Sequence, residues 1–152
     1  MTIGPLMIDL AGTEISPQER AWLEHSAVGG VILFTRNYVD KNQFKDLVAE
    51  IHSIKAPRLL VAIDQEGGRV QRLREGFTAF PPLRNLGHTF DQDAATAVRL
   101  SHLFAQQLAC ELREIGIDLS FAPVVDIDYG LSAVIGDRAF HSDIDALSRL
   151  AI

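Results

Sequence analysis

The chain has 152 residues, 47% of them hydrophobic and 22% charged, which is the composition of an ordinary globular domain with enough apolar material for one sizeable core. A formal charge of -6 and a pI near 5.3 exclude a surface built to meet the phosphates of nucleic acid or of an anionic membrane, because both need a surplus of Lys and Arg. Cys110 is the sole cysteine, so no intrachain disulfide can form and a disulfide-stapled secreted scaffold is excluded.

At the N-terminus, Pro5 and Asp9 interrupt the apolar residues before a run of signal length develops, and no basic leader precedes them. No stretch of about 18 apolar residues follows anywhere, and a reducing cytoplasm is the expected setting. Pro5 to Leu10 reads as a short buried strand. Ser16, Pro17 and Glu19 then announce a helix, with Ser16 as cap, Pro17 at the first helical position and Glu19 completing a capping box. Gly29-Gly30 is expected to end that unit.

Val31-Ile32-Leu33-Phe34 is apolar without alternation, the pattern of a strand covered on both faces in a parallel sheet, and Thr35-Arg36-Asn37 follows as a polar loop. Asp40 and Gln43 have capping-box spacing, and Phe44, Leu47, Val48, Ile51 and Ile54 recur at helical intervals until Pro57 forbids continuation. Leu59 to Ile63 is a further strand buried on both faces. It ends at Asp64 and opens into a long loop, Gln65-Glu66-Gly67-Gly68-Arg69-Val70-Gln71-Arg72 and on through Pro81-Pro82.

From about Asp93 to Ile115 the pattern is helical, with Val98, Phe104, Leu108 and Leu112 among its apolar positions and Gly116 as terminator; Cys110 within it is expected to pack in the core. Leu119 to Val125 reads as a fourth strand, Gly136-Asp137-Arg138 lies in the loop after it, and Ile144 to Ile152 is a helix without a stop signal.

Strand and helix alternating in this way call for parallel strands joined by crossovers. A dinucleotide-binding sheet would carry its Gly-rich turn after the first strand, where Ala11-Gly12-Thr13 does not match. An eight-stranded barrel needs about 250 residues, so four βα units in this length read as the first half of a TIM-type (β/α)8 barrel. Residues 1–152 are then the N-terminal portion of a single barrel domain whose remainder lies outside this sequence.

Barrel chemistry sits at the C-terminal ends of the strands, which makes Asp64 the leading candidate site residue. The alternative is a carboxylate that merely caps the following loop. Gly67 and Gly68 permit backbone conformations and close approach that side chains would block, and Arg69 and Arg72 bring cations to the same loop. Asp64 and Glu66 have the look of a glycosidase acid and nucleophile, or of an oxygen pair for magnesium. Arg138 reaches the same mouth in a barrel, or else forms a surface ion pair with Asp137 or Asp143. Asp126 and Asp128 read as loop-organising carboxylates, His25, His52 and His102 as structural or solvated, and His88 and His141 as unassigned loop histidines near the relevant face.

Four ordered motifs, Ile32-Leu33-Phe34-Thr35-Arg36-Asn37, Asp64 through Arg72, Ser120-Phe121-Ala122-Pro123-Val124-Val125-Asp126 and Ile135-Gly136-Asp137-Arg138, closely resemble the bacterial β-N-acetylhexosaminidases of glycoside hydrolase family 3. The resemblance runs from about Met7 to the last residue. It implies a cytoplasmic barrel enzyme that removes terminal β-linked N-acetylglucosamine from muropeptides during peptidoglycan recycling, by a retaining mechanism and without a metal or cofactor. It also implies that Asp64, Arg72 and Arg138 bind the sugar. The family's acid–base histidine and nucleophilic aspartate follow a Lys-His-Phe-Pro-Gly-His-Gly motif that this sequence lacks, so no catalytic residue is assigned here and both are expected beyond Ile152. Exposed barrel edges on such a half-barrel invite self-association. A non-catalytic sugar-binding or interaction half-barrel, and a magnesium-dependent barrel lyase or aldolase using Asp64 and Glu66, are the competing readings.

Overall fold

The computed structural model describes residues 4–152. In chain order the strands are β1 (Leu6–Asp9), β2 (Val28–Leu33), β3 (Leu60–Ile63), a hairpin of β4 (Gln65–Gly67) and β5 (Val70–Gln71), and β6 (Leu119–Ser120). The helices are α1 (Pro17–Glu24), α2 (Lys41–Ser53), α3 (Arg84–Gln92), α4 (Ala94–Glu114) and α5 (Ile144–Leu150). β1, β2, β3 and β6 pair in that order and all in parallel, the sequential arrangement of neighbouring staves in a TIM-type barrel.

The helix starts are built as their sequences dictate. Ser16 Oγ accepts the Glu19 amide at 3.2 Å while the Glu19 carboxylate accepts the amides of Ser16 and Ala11, both at 2.8 Å. The Ala11 N–H, followed by the Ser16 hydroxyl, holds the Glu19 carboxyl below its ordinary value. Asp40 caps α2 through the amides of Asn42 and Gln43 at 2.8 and 2.9 Å. Gln43 does not complete a box on Asp40; its oxygen accepts the Val39 amide and its nitrogen donates to Thr13 O, tying α2 to the loop after β1. α2 buries Phe44, Leu47, Val48 and Ile51 and stops short of Pro57.

These helical stripes and the strand residues Val31, Leu33, Val61 and Ile63 form the main core, with Leu108, Leu112 and Ile115 of the α4 region closing it. Burying one such side chain contributes roughly 1.5–3 kcal/mol. Leu83, Leu86, Ala97, Phe140 and Leu150 make a second, smaller cluster under α3, α4 and α5.

Several expectations are corrected. β1 is present but not buried: among the described residues it pairs with β2 alone, and Leu6 and Met7 are exposed. Gly29-Gly30 does not end the α1 unit but lies inside β2, where a Cβ on Gly30 would stand 2.9 Å from Met7 Cε and 3.1 Å from Leu60 O. The fourth strand is only Leu119–Ser120, because its partner β3 ends at Ile63 and the chain then turns away toward Pro123. α3, hidden in what reads as loop, is a full helix. α5 closes at Leu150, with Ala151 as its cap, rather than running to Ile152. Cys110 is exposed: it sits roughly 200° round α4 from the buried Leu108, on the solvent side.

Among the described residues no helix is long and apolar enough to cross a membrane.

Candidate functional site

The C-terminal ends of the parallel strands carry a row of arginine–carboxylate pairs. Arg36, in the 3-10 turn after β2, reaches back to Asp9 at the end of β1 and donates to Leu10 O at 2.9 Å. Arg72 Nη2 donates to Asp64 Oδ2 at 2.9 Å, and its guanidinium lies over the Phe34 ring, 5.4 Å from the centroid. Arg138 grips Glu66 with two bonds, Nε to Oε2 at 2.8 Å and Nη2 to Oε1 at 2.7 Å. That Glu66 contact keeps the Arg138 guanidinium further above its ordinary pKa, with Asp64 and Asp126 adding to the negative potential around it.

Exposure separates the residues by role. Asp64, Arg72 and Arg138 keep 24%, 29% and 23% of their side-chain surface accessible, enough to meet a ligand, whereas Glu66 keeps 3%. Glu66 therefore supports Arg138 and is not placed to attack or protonate anything outside. The reading of Asp64 and Glu66 as a catalytic or magnesium pair loses its basis for the same reason, since only Asp64 of the two is accessible. Arg138 pairs with neither Asp137 nor Asp143; Asp137 instead takes Arg69.

The hairpin that delivers these groups is fastened by two buried glutamines. Gln65 Oε1 accepts the amides of Arg72 and Leu73, both at 3.0 Å, and its Nε2 donates to Leu73 O at 2.9 Å. Gln71 bridges Leu73 O, Thr78 O and the Phe80 amide. These amides act as a substitute sheet edge for a segment that has no strand partner there. Gly67 and Gly68 make the hairpin turn with φ of +98° and +56°. The close approach they permit is that of the Pro81-Pro82 backbone, since a Cβ on Gly67 would stand 2.6 Å from Pro81 O. Arg72 Nε is buried without a hydrogen-bond partner.

The loop bearing Arg138 is fixed to α3. Arg84 Nη2 donates to Asp128 Oδ2 at 2.8 Å, His141 Nε2 lies 3.0 Å from Asp91 Oδ1, and the His141 Nδ1 accepts the Asp143 amide. Asp128 is thus a loop-organising carboxylate as its position suggests. His88 is in α3, not in a loop. His52 pairs with Asp118, beside Arg58, at the opposite end of the sheet from Asp64, and His25 caps α1 while His102 is exposed. Asp64, Arg72 and Arg138, chosen from sequence, are brought together; the partnership of Glu66, the glutamine clamps and the Arg84–Asp128 tie carry no periodicity and are visible only in three dimensions.

An apolar groove of about 390 Å³ runs between α4 and β6, lined by Phe104, Leu108, Leu112, Leu119, Ala122 and Phe140 among others. Its lining suits packing against another apolar surface more than recognition of a hydroxyl-rich ligand.

Residues 5–152 match the glycosyl hydrolase family 3 N-terminal domain. A β-hexosaminidase of Nitrosospira multiformis is 52% identical over 151 residues, covering 99% of this chain and 43% of that protein. One of Thiobacillus denitrificans is 53% identical over 150 residues, with 99% and 42% covered. The crystal structure of NagZ from Neisseria gonorrhoeae in complex with N-trifluoroacetyl-D-glucosamine superposes with a TM-score of 0.96 at 46% identity, covering 97% of this chain and 45% of that one. The chain thus spans less than half the length of these relatives, and across nearly all of its own length it belongs to glycosyl hydrolase family 3.

Proposed function

We propose that this chain forms the sugar-holding side of a β-N-acetylhexosaminidase that removes terminal β-linked N-acetylglucosamine from muropeptides in the cytoplasmic recycling of peptidoglycan. The observation that carries the reading is the convergence of accessible Asp64, Arg72 and Arg138 at the C-terminal ends of parallel strands, backed by a β-hexosaminidase relationship over the whole segment. An ionised carboxylate accepts hydrogen bonds from adjacent sugar hydroxyls, and guanidinium groups donate to ring substituents. The relative solved with N-trifluoroacetyl-D-glucosamine supports an acetamido sugar as the ligand class.

In this reading residues 1–152 are the first part of one barrel domain, and residues outside this sequence complete the barrel. The same outside portion supplies the nucleophilic aspartate and the acid–base histidine of a retaining mechanism. The residues here then contribute binding and orientation, and neither the covalent nor the proton-transfer step.

The test is hydrolysis of an aryl N-acetyl-β-glucosaminide by the full gene product that contains this chain. Aglycone release that collapses on Asp64→Ala supports the proposal. No release by the wild-type protein overturns it. Sugar binding without release, from a gene product that ends at Ile152, would instead favour a non-catalytic sugar-binding module.

A further inference from the structure

Arg138 is held at its guanidinium by Glu66, but nothing in that contact fixes the backbone from which Arg138 projects. Residues 129–134 are exposed and form neither helix nor strand, and Arg138 sits in the short 3-10 turn Gly136–Arg138 immediately beyond them. The residues after Arg138 are tied to α3, and the backbone leading into it is anchored by the β4–β5 hairpin. Arg69 Nη2 donates to Ala133 O at 3.0 Å, Val134 O at 2.6 Å and Ile135 O at 3.3 Å, and Arg69 Nε donates to Asp137 Oδ1 at 3.1 Å.

One guanidinium thus gathers three successive carbonyls and the carboxylate that follows them. A planar, always-charged donor fork meets that demand, and a lysine ammonium, a compact point charge, cannot meet all of it at once. Arg138 Nη1 itself donates to Val134 O at 3.2 Å, so the carbonyl that Arg69 captures also helps orient Arg138. The same hairpin carries Glu66 at one end of its turn and Arg69 at the other, so the two residues hold the side chain and the backbone of a single binding group.

We infer that Arg69 is a positioning residue for sugar recognition: it fixes the 133–137 backbone so that Arg138 presents its guanidinium to the ligand in register with Asp64 and Arg72. This rests on the sugar-binding reading of Arg138 given above. Arg69 is about half exposed, with 48% of its side-chain surface accessible, so its removal spares the core.

The experiment compares wild type, Arg69→Ala, Arg69→Lys and Arg138→Ala in the full gene product, with an aryl N-acetyl-β-glucosaminide as substrate. Backbone hydrogen exchange of residues 133–139 is followed in parallel. Arg69→Ala is expected to raise KM roughly ten-fold while kcat stays within about two-fold, because a mispositioned binding group weakens ground and transition states alike. Arg69→Lys should recover part of the KM, and exchange at 133–139 should quicken in Arg69→Ala but not elsewhere. Arg69→Ala with wild-type KM, while Arg138→Ala is impaired, overturns this inference and leaves the sugar reading standing. A wild-type protein without activity or sugar binding overturns the sugar reading, and this inference with it.

Discussion

Replacing Gly87 by alanine sets two effects of opposite sign against each other. Within a helix, Gly→Ala ordinarily adds about 0.5–1 kcal/mol of stability through propensity and a stiffer unfolded chain. Gly87, however, lies on the buried side of α3 where the Arg138 loop returns across it. A Cβ there would stand 2.0 Å from the Phe140 carbonyl oxygen and 3.1 Å from its carbon, against at least 3.4 Å for ordinary contact. Something must therefore move by about 1.4 Å, the difference between 3.4 and 2.0 Å. The obstacle is backbone, and the Phe140 side chain is anchored in the second core cluster at 2% exposure, so accommodation is costly. Overpacking of this kind costs about 1–3 kcal/mol. With a backbone obstacle the cost falls in the upper part of that range, about 2–3 kcal/mol, so the clash wins and Gly87→Ala is expected to be destabilised by about 1–2.5 kcal/mol net. Urea unfolding of wild type and variant measures this directly. Since Phe140 follows Arg138 closely, affinity for N-acetylglucosamine should fall with stability. A variant as stable as the wild type, or more so, refutes the reasoning.

Glu66→Ala leaves the Arg138 guanidinium beside an emptied, buried site and should cost about 3 kcal/mol in urea unfolding, at the low end for a broken buried pair because Arg138 retains some solvent contact; a cost below about 1 kcal/mol would show that the pair is effectively solvated. Glu19 has a folded-state pKa below its ordinary value of 4.5, so its contribution is full above that pH and is lost as pH falls through the lowered folded value. Glu19→Gln should accordingly be less stable than wild type near neutrality, and the two urea midpoints should converge as the pH falls from 4.5 through the lowered folded value; a constant gap contradicts the capping-box account. The 152-residue chain expressed by itself should sediment as a dimer or larger species, because β1 and β6 end the sheet with unpaired edges and Leu6, Leu103 and Leu119 are exposed. A stable folded monomer would defeat that expectation.

The parts of this fold that could be read from sequence are those where one local rule decides the outcome. Ser16-Pro17 with Glu19 starts α1, Phe44 through Ile51 sets the buried stripe of α2, and the unbroken apolar run at Val31 marks an interior strand. The misreadings occur where tertiary position overrides local pattern. The apolar Leu6-Met7 pair is exposed because β1 lies at an edge, and Gly29-Gly30 is strand because β2 pairs with β1 and β3 on either side, with Met7 and Leu60 leaving no room for a Cβ at Gly30. α3 gives no helix signal in the sequence because Arg84–Gln92 carries Gly87 within it and no capping side chain before it. Asp64, Arg72 and Arg138 stand out in the sequence through their motifs. Their arrangement does not, because Glu66 and Arg138 lie 72 residues apart and only the fold makes them a pair.

The most direct test of the central claim is the affinity of N-acetylglucosamine for the full gene product, titrated by calorimetry for the wild type and for Asp64→Ala. The account predicts saturable binding by the wild type and at least a hundred-fold loss, about 2.7 kcal/mol or more, in the variant, because a charged acceptor of sugar hydroxyls is removed and Arg72 loses its partner. Equal affinity in the two proteins would contradict it.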